Sequence, residues 1–136
     1  MNRKPLILCA DDNAHIVEGW KTLLKLKGYE VLTASNGAEA LQAFVAHPVD
    51  LAMLDYHMPR MNGDVAATRM KACKPDVPIA LLSADTLPVL ADLKAVDLFV
   101  SKSLPIAGVL EMVDQLLSRR VLFQPLQHWE GGEQAA

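Results

Sequence analysis

The stretch Leu51-Ala52-Met53-Leu54-Asp55-Tyr56-His57-Met58-Pro59-Arg60-Met61-Asn62-Gly63 decides how the rest of the chain is read. It opens as an apolar run, stops at one acid, and passes into a loop containing Pro59 and Gly63. A short apolar run bounded by turn residues reads as a strand buried on both faces, as in a parallel sheet. Asp55 then stands at the strand's carboxyl end, where open α/β sheets place their ligand sites. A charge at that edge is costly unless it is paired, solvated or bound to a cation. A lone Asp there would be read as a turn cap; the other residues of the chain change that reading.

Working outward, Leu6 to Ala10 is a second buried strand, closed by Asp11-Asp12-Asn13. Ile16, Val17, Trp20, Leu23 and Leu24 then fall at helical spacing, with Asp or Asn as cap before them and Gly28 as C-terminal cap. Tyr29 to Ala34 reads as a strand. Ser35-Asn36-Gly37 is a turn and cap for a helix marked by Ala40, Leu41, Phe44 and Val45 and ended by His47-Pro48. Beyond the opening stretch, Asp64 to Cys73 predicts a helix with Val65, Ala66 and Met70 inward. Ile79 to Leu82 predicts a strand ending at Ser83, Val89 to Lys94 a short helix, and Leu98 to Val100 a last strand with Lys102 just past it. Ser103 caps a final helix with Pro105 in its first turn, and Ile106, Val109, Leu110, Val113, Leu116 and Leu117 form its apolar stripe. Strand and helix alternate five times. The pattern predicts an α/β fold: a flavodoxin-like (βα)5 doubly wound, five-stranded parallel sheet of order 2-1-3-4-5.

In that order the chemistry-bearing residues all fall at strand carboxyl ends. Asp11 and Asp12 follow strand one, Asp55 strand three, Ser83 strand four and Lys102 strand five. Three carboxylates and one ammonium sum to about −2, with like charges close together. A divalent cation neutralises such a site, and carboxylate oxygens with open water positions suit Mg²⁺. Asp55 is then a candidate nucleophile forming an aspartyl phosphate, with the metal and Lys102 supplying charge neutralisation and Ser83 a hydroxyl for a phosphoryl oxygen. Singly, Ser83 reads as a turn hydroxyl and Lys102 as a salt-bridge partner; the ordered set is what carries the argument.

The bulk numbers are consistent with this. The 136 residues suffice for one domain, and 51% hydrophobic with 21% charged is ordinary for a globular chain. A net charge of −3 offers no basic face for nucleic acid. The apolar run after Met1-Asn2-Arg3-Lys4 is too short for a secretion signal, and no run reaches a membrane span. Cys9 and Cys73 have no CxxC spacing and read as reduced thiols of a cytoplasmic protein. His15, His47 and His128 read as surface residues, and no His/Cys pair has zinc spacing.

The acidic pair Asp11-Asp12, the run Asp55-x-x-Met58-Pro59-x-Met61-Asn62-Gly63, Ser83-Ala84 and Lys102 together resemble the receiver domains of two-component response regulators, the CheY-like superfamily, over roughly residues 5 to 120. The resemblance implies a receiver domain at 1–122 and a partly disordered tail at 123–136. It implies that Asp55 accepts phosphate from a phosphohistidine of a sensor histidine kinase or histidine phosphotransfer protein. Mg²⁺ would be held by Asp12, Asp55 and the backbone carbonyl of His57, with Asp11 acting largely through water. Lys102 would pair with the phosphoryl group, Ser83 would move toward it, and Phe99 would be the switch aromatic. His57 and Asp85 stand where the lifetime of the phosphoryl group is tuned. The output surface, roughly 87–117, would bind an output protein and would also be the face of a homodimer; neither nucleic acid nor membrane is an expected partner. Two departures are visible. Ser103 stands where the family usually has Pro, so that bond is expected to be trans, and Ala95 replaces a usual glycine.

Three functions compete. The first is a phosphorylation-dependent switch that is no enzyme beyond transfer to, and hydrolysis from, its own Asp55. The second is a Mg²⁺-dependent phosphatase, disfavoured because the position two residues after Asp55, acidic in such enzymes, is His57. The third is a degenerate, phosphorylation-independent binding module. The chain would equally suit a receiver excised from a hybrid kinase or multidomain regulator.

Overall fold

The computed structural model describes residues 3–84 and 94–118. The elements are β1 (Leu6–Ala10), α1 (Ala14–Leu26), β2 (Glu30–Ala34), α2 (Gly37–Ala46), β3 (Leu51–Asp55), α3 (Gly63–Cys73), β4 (Ile79–Ser83) and β5 (Leu98–Ser101), followed by helix α4 at 106–118. The five strands are all parallel, in the order β2-β1-β3-β4-β5. That is the predicted doubly wound sheet. The short helix expected over Val89 to Lys94 falls outside the described residues, save Lys94, which stands in a turn; Asp85 lies outside them too.

Local chemistry starts and stops the helices. Asn13 caps α1, its side chain accepting from the backbone N–H of His15 and Ile16 at 3.0 and 3.4 Å. Gly28 adopts φ +97° just beyond α1, the left-handed conformation that ends helices. Asn36 caps α2 by accepting from Glu39 N–H at 2.8 Å, while Glu39 reaches back to Ser35 N–H at 2.6 Å, a reciprocal cap. Ser103 does not cap α4: its hydroxyl pairs with the Ser101 hydroxyl at 2.7 Å, and the Pro105 carbonyl accepts from Gly108 and Val109 instead. A residue two positions ahead of the N-cap is too far out for the capping geometry.

The sheet is packed on both faces. Leu8, Phe44, Leu54, Met70 and Leu81 belong to the layer under α2 and α3; Ile7, Leu24, Leu51, Val113 and Leu117 belong to the layer under α1 and α4. Every residue of β3 and β4 is buried, as a central parallel strand requires. Three apolar residues read as inward face solvent: Val45, Val65 and Ile106 are 55%, 43% and 52% exposed. Each lies near an end of its helix, within the first three or last two residues. No helix among the described residues is long and apolar enough to cross a membrane.

Candidate functional site

Register brings the acids together. Ala10 of β1 lies beside Leu54 of β3, so the next residue of each chain segment, Asp11 and Asp55, are neighbours at the sheet's carboxyl edge. On the other side Asp55 pairs with Leu82 and Ser83 with Ser101, which sets Lys102 one residue beyond. The backbone pins these ends. Tyr56 N–H donates to Leu82 O at 2.8 Å and Lys102 N–H to Ser83 O at 2.8 Å. Asp11 N–H donates to Ala34 O at 3.1 Å.

One ligand atom from each of Asp11, Asp12 and Asp55 lies within 4.8 Å of the others. Asp11 and Asp55 are buried and Asp12 is exposed. The Lys102 ammonium sits 2.7 Å from Asp55 Oδ1 and 3.0 Å from Asp11 Oδ2, bridging the two buried acids. The remaining Asp11 oxygen accepts from Asn13 N–H at 2.9 Å. Asp11 therefore touches Lys102 directly, a contact the sequence did not reveal.

The electrostatics follow. Burial pushes the Asp55 carboxyl up; the Lys102 hydrogen bond opposes this, while the charges of Asp11 and Asp12 add to it, and the net shift is upward. Burial alone would lower the Lys102 ammonium, but its hydrogen bonds to Asp55 and Asp11 outweigh that and raise it. Both shifts describe an acid cluster with one cation against three carboxylates, a donor set and charge that fit a hard divalent ion.

The loop after β3 is fixed by close backbone approach. A Cβ on Gly63 would stand 2.4 Å from the Asp55 carbonyl oxygen, and Gly63 N–H donates to Tyr56 O at 2.8 Å. A Cβ on Gly37 would stand 2.1 Å from Met61 O, so α2 abuts the same loop. Arg60 turns the loop with φ +70°. These contacts hold Asp55 at a sharp strand-to-loop corner.

The other predicted residues are placed as follows. Ser83 is fully buried at the end of β4. Phe99 is half-buried on β5 and packs against the layer under α2 and α3. His57 is exposed, its ring edge-on to Tyr56 at 4.6 Å. The Lys102–Ser103 bond is trans, since the described residues contain no cis peptide. Trp20 and His15 line a cavity shared with Lys102; His15 is exposed, as the sequence reading favoured, while a Trp at helical spacing reads as ordinary core, and only the fold sets it beside the strand ends.

A family profile described as response regulator receiver domain matches residues 7–114. The transcriptional regulatory protein PrrA of Mycobacterium tuberculosis is 34% identical over 119 residues, covering 85% of this chain and 51% of that protein. The chain thus spans about half the length of the curated relatives it matches. The autoinducer 1 sensor kinase/phosphatase LuxN of Vibrio harveyi is 36% identical over 85 residues, 62% of this chain and 10% of that protein. Among solved structures, the response regulator protein TrrA of Thermotoga maritima, in complex with Mg(2+)-BeF, superposes with a TM-score of 0.77 at 37% identity, covering 82% of this chain and 98% of that one.

Proposed function

The chain belongs to the response regulator receiver family, and on that premise we propose that it accepts a phosphoryl group on Asp55 from a phosphohistidine and signals by a changed protein-binding surface. The observation that carries this reading is the Lys102 ammonium bridging Asp55 and Asp11 at 2.7 and 3.0 Å beside a third carboxylate. A buried nucleophile, a cation within reach of its oxygen and an acid cluster are what in-line phosphoryl transfer asks of a protein.

Asp11, Asp12 and Asp55, with the His57 backbone carbonyl, would hold Mg²⁺, which when bound neutralises charge on the transferring oxygens. The chain's own residues do the rest. Burial excludes water from Asp55, whose carboxylate oxygen attacks phosphorus as the phosphorus–nitrogen bond of the donor breaks; the bonding pair leaves with the imidazole nitrogen. Lys102, freed from Asp55, pairs with a phosphoryl oxygen. Ser83 supplies a hydroxyl to another, and Phe99 on β5 carries the change toward the output face. His57 and Asp85 set how long the acyl phosphate survives. The donor is a sensor histidine kinase or histidine phosphotransfer protein in the cytoplasm. The output is an interaction with another protein or a second copy.

Intact-mass spectrometry after incubation with acetyl phosphate and Mg²⁺ tests this. We expect one phosphoryl adduct that EDTA prevents and Asp55→Ala abolishes. An adduct retained by Asp55→Ala refutes Asp55 as acceptor, and no adduct from either acetyl phosphate or a phosphorylated histidine donor returns the chain to a phosphorylation-independent binding module.

A further inference from the structure

A cavity of about 320 Å³ opens between α1 and the beginning of α4, beside the strand ends but outside the acid cluster. Ile16, Trp20 and Leu23 of α1 and Ile106 and Val109 of α4 form its apolar wall, and His15, Ser101 and Lys102 its polar end. Gly19, in the interior of α1, also lines it. A glycine there weakens the helix relative to alanine. No close approach requires it, because among the described residues nothing lies within 4 Å of where its Cβ would be. The missing side chain leaves the cavity open and serves no packing contact.

We propose that this cavity binds a small aromatic molecule of about two fused rings that carries a neutral hydrogen-bond acceptor such as a carbonyl. Size sets the rings: an apolar cavity of about 150 Å³ accepts benzene, and pockets for small ligands begin at about 300 Å³. Chemistry sets the polar group. The cavity's polar end offers the Lys102 ammonium as donor, the Ser101 hydroxyl being engaged with Ser103. Two of the three ammonium donors face Asp55 and Asp11. A ligand carboxylate would meet those buried acids at close range and be repelled, so a neutral acceptor is complementary where an anion is not. Trp20 supplies the aromatic wall. It also borders the small void under Asp11 and Asp55, which makes it the partition between cavity and acid cluster.

The test is a titration of the ¹⁵N-labelled chain with 2-acetylnaphthalene, followed by amide and indole chemical shifts. Trp129→Phe assigns the indole signal of Trp20, because these are the only two tryptophans. We expect saturable shifts at Gly19, Trp20 and Ser101. Naphthalene, which lacks the acceptor, should bind about five- to tenfold more weakly, the worth of one net hydrogen bond. Gly19→Leu, which fills the cavity, should weaken binding at least tenfold, and Gly19→Ala by less. Should Gly19→Leu not fold, the graded loss in Gly19→Ala decides. The absence of saturable shifts up to the solubility limit, as expected if a partner's side chain is the true occupant, overturns the proposal. So does undiminished binding to a folded Gly19→Leu. None of these readouts depends on phosphorylation of Asp55.

Discussion

Replacing Lys102 by methionine should weaken the metal-free fold and tighten Mg²⁺ binding at once. The side chain keeps its length and loses its charge. In the parent, the ammonium stands 2.7 Å from Asp55 and 3.0 Å from Asp11, both almost fully buried. Removing one partner of a buried ion pair costs about 3–5 kcal/mol, because a charge is left uncompensated. Two features reduce that here. The Lys102 side chain is 24% exposed, so water already screens the pair. Asp55, whose carboxyl is already held above its usual range, can take up a proton. A loss of about 1–3 kcal/mol at neutral pH remains. The same change removes a positive charge from the oxygens that would ligate a cation. Two charges of that kind about 5 Å apart interact by several kcal/mol even at an effective dielectric of about 20, and rearrangement of the acids absorbs part of it. An increase in Mg²⁺ affinity of about ten- to a hundredfold is expected, and each tenfold returns about 1.4 kcal/mol of stability at saturating metal. Urea denaturation with and without Mg²⁺, together with a Mg²⁺ titration read by Trp20 fluorescence in a Trp129→Phe background, measures both quantities. A variant with unchanged metal-free stability and unchanged Mg²⁺ affinity would refute the ion bridge as the organising contact of the site.

Further predictions concern the frame around it. Gly63→Ala places a Cβ 2.4 Å from the Asp55 carbonyl oxygen and 2.6 Å from Leu81 Cδ1; backbone must shift, and thermal unfolding should show a loss of about 2–4 kcal/mol. Phe44→Ala empties the fully buried ring position of α2, which also lies under the Lys74 ammonium at 5.1 Å, and should cost about 3–5 kcal/mol in chemical denaturation. Asp114 on α4 accepts from Tyr29 and pairs with Lys27 at 2.7 Å. Burial alone would raise its carboxyl, but these two hydrogen bonds hold it below the usual range. The unfolded chain thus binds that proton more tightly than the native one. The contribution is full above the ordinary Asp value of about 3.9 and is lost as pH falls through the lower native value. Tyr29 is pushed up to about 12, mainly by burial and then by Asp114; its contribution is full below about pH 10 and is lost as pH rises toward 12. Asp114→Asn should flatten the acid limb of the stability–pH curve; an unchanged limb would show that the latch between α1 and α4 does not form in solution.

The fold was legible because its signals are local and redundant. Leu51 to Leu54 and Ile79 to Leu82 are apolar runs with no alternation, which only a strand covered on both faces tolerates. Asn13, Gly28 and Asn36 punctuate the helices at positions their side chains or backbone freedom favour. Parallel strands joined by right-handed crossovers then leave few orders for the sheet. The errors fall where the signal is weakest. Val65 and Ile106 are apolar but stand at the rim of their helices, and a rim position is set by where the neighbouring element ends. Ser103 has the chemistry of a cap, yet α4 begins only at Ile106, and the hydroxyl left outside the capping position pairs with Ser101.

The site divides along the same line. That Asp11, Asp12, Asp55 and Lys102 share one edge follows from topology alone, since each stands at or just past the carboxyl end of a parallel strand. Which acid the lysine holds does not follow. That Asp11 acts through water is what the resemblance implies. The structure shows the Lys102 ammonium within reach of two buried carboxylates and holding both. A divalent ion at this cluster would meet carboxylates whose charge the ammonium already offsets in part. On the proposed function, that ion would take over part of the neutralisation and leave the ammonium available to a phosphoryl oxygen. The contact that neutralises the buried acids is therefore the one that opposes a second cation beside them, which is why the Lys102→Met experiment reads stability and metal affinity in opposite directions.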